Sequence, residues 1–226
     1  MARCPTSKAV LLAGASGLVG RSLLTQLLVA AETRVHALLR REVPDLPTSP
    51  KLSRQVINFA QPGALPPADE LYLALGTTIK AAGSEAAFRA VDFDAVVNVA
   101  RAARAAGVTR AAVVSALGAD AASRVFYNRV KGEMEAQLAA IGFERLVIAR
   151  PSLLAGKRAA LGQPTRVGEQ LALTLLAPIS SLLPARLRPI DAAVVARALR
   201  VALHQPGPAV QIIESAALQA LGKEAA

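Results

Sequence analysis

The stretch Ala9-Val10-Leu11-Leu12-Ala13-Gly14-Ala15-Ser16-Gly17-Leu18-Val19-Gly20 decides how the rest of the chain is read. Its apolar start reads as a strand buried on both faces, and the apolar spacing over residues 18–30 is that of a helix. Such a strand aims its carboxyl end at unpaired N–H groups and the positive end of the helix dipole, where a pyrophosphate binds. Gly14 is expected to make the tight turn, Gly17 to let the phosphates approach and Gly20 to let helix pack on strand. The alternative is a purely structural strand-to-helix turn, which needs fewer glycines.

Outward from this unit, short apolar runs at 9–13, 34–39, 55–59, 71–75, 111–115, 146–149 and 210–213 alternate with helix-period segments at 18–30, 85–106, 124–141 and 190–204. Near-continuous apolar strands between helices predict an α/β Rossmann fold, a three-layer, doubly wound parallel sheet of about seven strands. Gly107 and Gly142 sit where two helices should end as left-handed caps, and the proline-rich stretches 44–50 and 62–67 read as loops. No repeat or linker divides the chain, so 1–226 is expected to be one domain, with 152–190 as a small substrate-side lid.

Composition narrows the function classes. At 226 residues with 53% hydrophobic content and a mean hydropathy of +0.40, the chain has the opposite of a disordered composition. The net charge of +10 is spread over scattered arginines, and only 3% of residues are aromatic, which argues against nucleic-acid binding. Cys4 stands alone, and the run before Gly14 is too short for a signal peptide, so a reducing, cytoplasmic setting is expected. The apolar stretch 171–183 falls short of the ~20 residues a membrane span needs and contains Pro178. No metal site is expected, because His36 and His204 have no carboxylate or thiol at ligand spacing; Asp92, Asp94, Asp120 and Asp191 read as helix-start or loop residues.

Two further features carry chemistry. The second strand ends in Arg40-Arg41 where NAD-binding chains carry an acid for the ribose 2′-hydroxyl, so the expected cofactor is NADP(H) rather than NAD, unless the arginines merely end a strand in solvent. Tyr127 and Lys131 lie four apart and share one helical face. An ammonium beside a phenol favours phenolate, giving a proton donor or acceptor for carbonyl and alcohol interconversion. Ser115, at the end of the fifth strand, either orients a substrate carbonyl or caps the turn.

On residues 14–20, Arg40-Arg41, Leu75-Gly76-Thr77-Thr78, Phe88-Arg89-Ala90-Val91-Asp92, residues 114–120, residues 126–133 and Arg150-Pro151, the chain resembles the short-chain dehydrogenase/reductase superfamily. The likeness is to its small atypical branch, typified by the Tat-interacting oxidoreductase and metastasis-suppressor proteins, and it spans nearly the whole chain. The resemblance implies that Ser16, Gly17, Leu18 and Val19 line the pyrophosphate, with Arg40 and Arg41 on the 2′-phosphate. It sets Leu75 and Gly76 by the ribose and adenine, Tyr127 and Lys131 at the nicotinamide, and Pro151 and Ser152 closing over the cofactor. Two departures stand out: Ser115-Ala116 replaces the usual serine pair, and the Ser115–Tyr127 connection is short.

Two functions follow as expectations. One is an NADPH-dependent reductase of a small, apolar carbonyl, with Tyr127 as acid/base, Lys131 as ribose anchor and Ser115 as orienter, acting as a monomer or homodimer. The other is an NADP(H)-binding regulatory or assembly protein, favoured by the two departures.

Overall fold

The computed structural model of the protein describes residues 8–31, 33–155 and 184–224. Seven parallel strands form one sheet: β1 (Lys8–Ala13), β2 (Thr33–Leu39), β3 (Leu52–Val56), β4 (Glu70–Leu73), β5 (Arg110–Val114), β6 (Arg145–Arg150) and β9 (Val210–Glu214). Their order across the sheet is β3-β2-β1-β4-β5-β6-β9. The chain winds outward from β1 to β3, returns to β4 beside β1, and winds out the other way. A crevice therefore opens above the carboxyl ends of β1 and β4, the switch point at which doubly wound sheets bind ligands.

Alternation along the strands sends side chains to two separate cores. Val10 and Leu12 join the layer formed with α1 (Leu18–Val29) and α6 (Ala192–His204), while Leu11 and Ala13 join the layer of α4 (Ala95–Ala105) and α5 (Phe126–Ala140). Both layers bury the strands, which is why the sequence runs are apolar throughout rather than alternating. Gly107 and Gly142 take the left-handed conformation at the ends of α4 and α5.

Several boundaries differ from the sequence reading, each for a local reason. The third strand lies at Leu52–Val56, not 55–59: as an edge strand it has three solvated residues, Ser53, Arg54 and Val56, while Ile57 and Phe59 turn inward after it. The fourth stops at Leu73, and Ala74 and Leu75 peel away to border the crevice. The helix at 85–106 is in three parts: α3 (Glu85–Arg89), a π-helical turn at Ala90–Asp94, and α4. The short α2 (Ile79–Ala82) and the C-terminal α7 (Ser215–Glu224) have no counterpart in the sequence reading.

Beyond β6, β7 (Leu154–Ala155) pairs in parallel with β8 (Ile190–Asp191), Leu154 opposite Ile190 and Ala155 opposite Asp191. This two-residue clasp holds both ends of the stretch read as a lid, whose apolar residues 171–183 lie outside the described residues.

At the amino end of the sheet, Glu70 is buried. It accepts hydrogen bonds from Tyr72 Oη (3.1 Å) and pairs with His204 Nε2 (2.6 Å) and Lys8 Nζ. Arg110 and Arg145 donate to carbonyls at the end of α6, those of Leu203 and Ala202. No described helix is long and apolar enough to cross a membrane.

Candidate functional site

A cleft of ≈ 1330 Å³ fills the crevice. Its floor is Gly14–Gly17, one wall is Arg40, Arg41 and the loop to Asp45, and the other is Leu75, Gly76 and Thr77, with Ile57, Asn58 and Phe59 at one end. The three glycines are required for different reasons. Gly14 has φ +92°, and a Cβ there would lie 2.4 Å from the Ala74 carbonyl oxygen; one on Gly20 would lie 1.9 Å from the Gly14 oxygen. These two let the turn close against β4 and the helix close against the turn. A Cβ on Gly17 would meet nothing nearer than 3.4 Å. The chain itself leaves room for a side chain there, so the bare backbone at Gly17 faces outward into the cleft, as the approach of a phosphate requires.

Gly17 caps α1 without a side-chain hydrogen bond, and the first turn carries no acidic residue. The helix end is therefore neither capped nor neutralised by its own side chains. Ser16 borders the cleft, whereas Leu18 and Val19 turn their side chains into the core, so only their backbone is available to a ligand.

Tyr127 and Lys131 lie on the inward face of α5, beyond the cleft lining. The Tyr127 ring packs on Phe88, 5.4 Å between centroids, and Lys131 Nζ donates to Asp92 Oδ1 at 2.7 Å. Asp92 Oδ2 accepts the Thr77 N–H at 2.8 Å. Asp92 is thus a buried partner of Lys131 within the π turn, not the helix-start or loop residue read from sequence. Burial works to push the Lys131 ammonium down; the Asp92 carboxylate, with Tyr127 and Glu135 adding to it, outweighs burial and holds it above its ordinary value.

Ser115 is buried at the end of β5 and donates its hydroxyl hydrogen to Glu135 Oε1. Glu135 lies one turn past Lys131 on the same face of α5, and Arg150 grips it through Nε (3.0 Å) and Nη2 (2.6 Å). The Ser115 hydroxyl hydrogen is therefore committed to Glu135. Pro151 accepts the Leu117 N–H (3.0 Å), and Ser152 Oγ accepts from Ser215 Oγ (2.9 Å) and donates to the Arg188 carbonyl (2.5 Å); neither residue borders the cleft. Gly132 allows the short Ser115–Tyr127 connection to lie against α5, since a Cβ there would come within 2.1 Å of the Ala121 nitrogen.

Residues 14–155, from the glycine turn to the clasp, match the profile of a family described as NAD(P)H-binding. The chain belongs to that family. It is 38% identical over 201 residues to "Protein fmp52, mitochondrial" of Aspergillus fumigatus, covering 84% of each chain. To "Protein HTATIP2" of Rattus norvegicus it is 31% identical over 225 residues, 96% of this chain and 90% of that one. It is an atypical NAD(P)-binding Rossmann-fold oxidoreductase relative of the HTATIP2/FMP52 group. The Bordetella bronchiseptica enzyme WbmF, solved in complex with NAD+, shares the fold with a TM-score of 0.66 at 15% identity, covering 97% of this chain and 78% of that one.

Two expectations are corrected by these findings. The choice of NADP(H) over NAD does not stand: WbmF and the other compared structures solved with a named dinucleotide hold NAD. Arg40 and Arg41 are exposed on a cleft wall that also carries Glu42 and Asp45, so that wall is not uniformly basic, and arginines at a strand end do not by themselves select a 2′-phosphate. Nor does the cytoplasmic assignment stand, because the fmp52 relatives are named as mitochondrial proteins. A lone cysteine speaks against an oxidising compartment but does not distinguish one reducing compartment from another.

The sequence reading also missed Ile57, Asn58 and Phe59 as a cleft wall, and Asp92, Glu135 and Arg150 behind the tyrosine and lysine. Glu135, four residues past Lys131, was open to the same spacing argument that paired Tyr127 with Lys131.

Proposed function

We propose that the protein is a nicotinamide-dinucleotide-dependent reductase of small, apolar carbonyl compounds, with Tyr127 as its acid/base and Lys131 as the partner of both phenol and ribose. The observation that carries this reading is the link from the cleft to α5: Thr77 on the cleft wall and Lys131 below Tyr127 share one carboxylate, Asp92. The open backbone at Gly17 fits a dinucleotide pyrophosphate, and Leu75 and Gly76 fit its ribose side.

When bound, the dinucleotide supplies a hydride for the carbonyl carbon. Tyr127 donates its phenolic proton to the carbonyl oxygen, yielding the alcohol, and is reprotonated from solvent. Lys131 would hold the dinucleotide by a ribose hydroxyl and would supply a second N–H to the phenol oxygen. Apolar substrates are favoured by the leucine-rich sequence 171–183 that follows β6.

The test is oxidation of NADH by the purified protein with a panel of aldehydes, ketones and quinones. Tyr127→Phe should lower turnover by about 10²–10⁴-fold while leaving NADH binding nearly intact. Unchanged turnover removes Tyr127 from the chemistry. The Ser115 hydroxyl, committed to Glu135, favours a second reading: a dinucleotide-binding regulatory or assembly protein. Tight NADH binding without turnover on any of the panel would establish that second reading.

A further inference from the structure

Among the ion pairs described, the one between Lys131 and Asp92 differs in having both side chains sealed from water, 4% and 1% exposed. In the others at least one partner reaches solvent. Burying a lone charge is far more costly than burying a matched pair, so each of these residues tolerates burial only because of the other. Glu135 is the other carboxylate on this face of α5, and it is already held by Ser115 and Arg150.

Asp92 reaches Lys131 because of the π turn. The Ala95 N–H bonds to the Ala90 carbonyl, five residues back, which widens the helix by one residue between α3 and α4. The carboxylate is then divided: one oxygen takes the ammonium, the other the Thr77 N–H. Thr77 follows Gly76 on the loop that leaves β4 at the switch point, so Asp92 stands between the cleft wall and α5.

We infer that Asp92 is a positioning residue that ties the Gly76–Thr77 wall of the cleft to Lys131, so that wall and lysine engage the dinucleotide as one unit. The inference rests on the function proposed above. An ammonium has three N–H donors. Asp92 takes one, which leaves two for the phenol and the ribose of the proposed function. Asp92→Asn keeps an oxygen for Thr77 and removes the charge that holds Lys131.

The test is a double-mutant cycle on NADH affinity, by calorimetry, with thermal unfolding of the same four proteins: wild type, Asp92→Asn, Lys131→Met and the double variant. Each single change should weaken NADH binding about tenfold, the loss of one charged hydrogen bond, and the double variant should bind within about twofold of either single. The double variant, with neither charge left buried, should also recover melting temperature that Lys131→Met loses. Additive losses, about a hundredfold in the double variant, would overturn the inference, because Asp92 would then act on the wall independently of Lys131. Wild-type affinity in Asp92→Asn would overturn it too. If Lys131→Met alone does not fold, Asp92→Asn against the double variant carries the test: equal affinities support the link and a further tenfold loss refutes it. Wild-type protein that binds no NADH would remove the functional reading itself and this inference with it.

Discussion

Two buried carboxylates, Glu70 toward the amino end of the sheet and Asp92 toward its carboxyl end, are held in different ways. At the amino end, Glu70 is matched by Lys8 and His204, whose side chains remain 34% and 45% exposed and can fall back to water. At the carboxyl end, Asp92 is matched by Lys131, which cannot. Both carboxylates also accept a neutral hydrogen bond, from the Tyr72 hydroxyl in one case and the Thr77 backbone in the other. The amino-end cluster fastens α6 to the start of β4 and tolerates rearrangement. The carboxyl-end pair lies beside the cleft, where the position of an ammonium matters more than the strength of its attachment.

If that contrast holds, loss of the lysine should have the largest effect on stability. Lys131→Met leaves Asp92 charged and unpaired in the core, and chemical denaturation should show a loss of about 3–5 kcal/mol. Glu70→Gln should cost less, about 1–3 kcal/mol, and leave NADH affinity unchanged. Equal losses at the two ends would break the comparison.

Acid sharpens it. Burial pushes the Glu70 carboxyl up, but hydrogen bonds and charge from His204 and Lys8 outweigh burial and hold it below its ordinary 4.5. A carboxyl depressed in the folded state contributes stability that is fully present above its unfolded value and lost as pH falls through the folded one. The stability advantage of wild type over Glu70→Gln should therefore shrink as pH falls below 4.5. An advantage that persists undiminished into acid would show that Glu70 acts by packing alone.

The smallest change in stability is expected at Gly17. Because a Cβ there meets only an ordinary contact at 3.4 Å, Gly17→Ala should shift unfolding by no more than about 0.5 kcal/mol while weakening NADH about tenfold. A large stability loss at Gly17 would make its glycine a folding requirement like Gly14 and Gly20, and would weaken the case for a ligand above it.

The same division explains what the sequence disclosed. The carboxyl end of β1 is built from backbone, and backbone geometry is written locally: an apolar strand, glycines at fixed offsets and a helix are legible without knowing what lies opposite. Tyr127 and Lys131 were legible for the same reason, as neighbours on one helical face. Asp92 was not. Its partner lies far along the chain, and it faces that partner because a π turn interrupts what the apolar period presents as one continuous helix. Ser115 was placed at the correct strand end, but its hydroxyl is directed by Glu135, a long-range contact that strand position does not determine. The arginine pair at the end of β2 misled for a related reason: charge in sequence gave a cofactor preference without the carboxylates that share the wall.

The β7–β8 clasp has an evolutionary consequence. By joining Leu154 to Ile190 and Ala155 to Asp191, it fixes the point where the chain departs from the sheet and the point where it returns. The entropic cost of closing a loop grows slowly with its length, by about 0.6 kcal/mol for each doubling. With those two points already held together, a change in the length of chain between them moves neither, so relatives built on one sheet and one glycine turn can differ here and in what they recognise while keeping the same cleft.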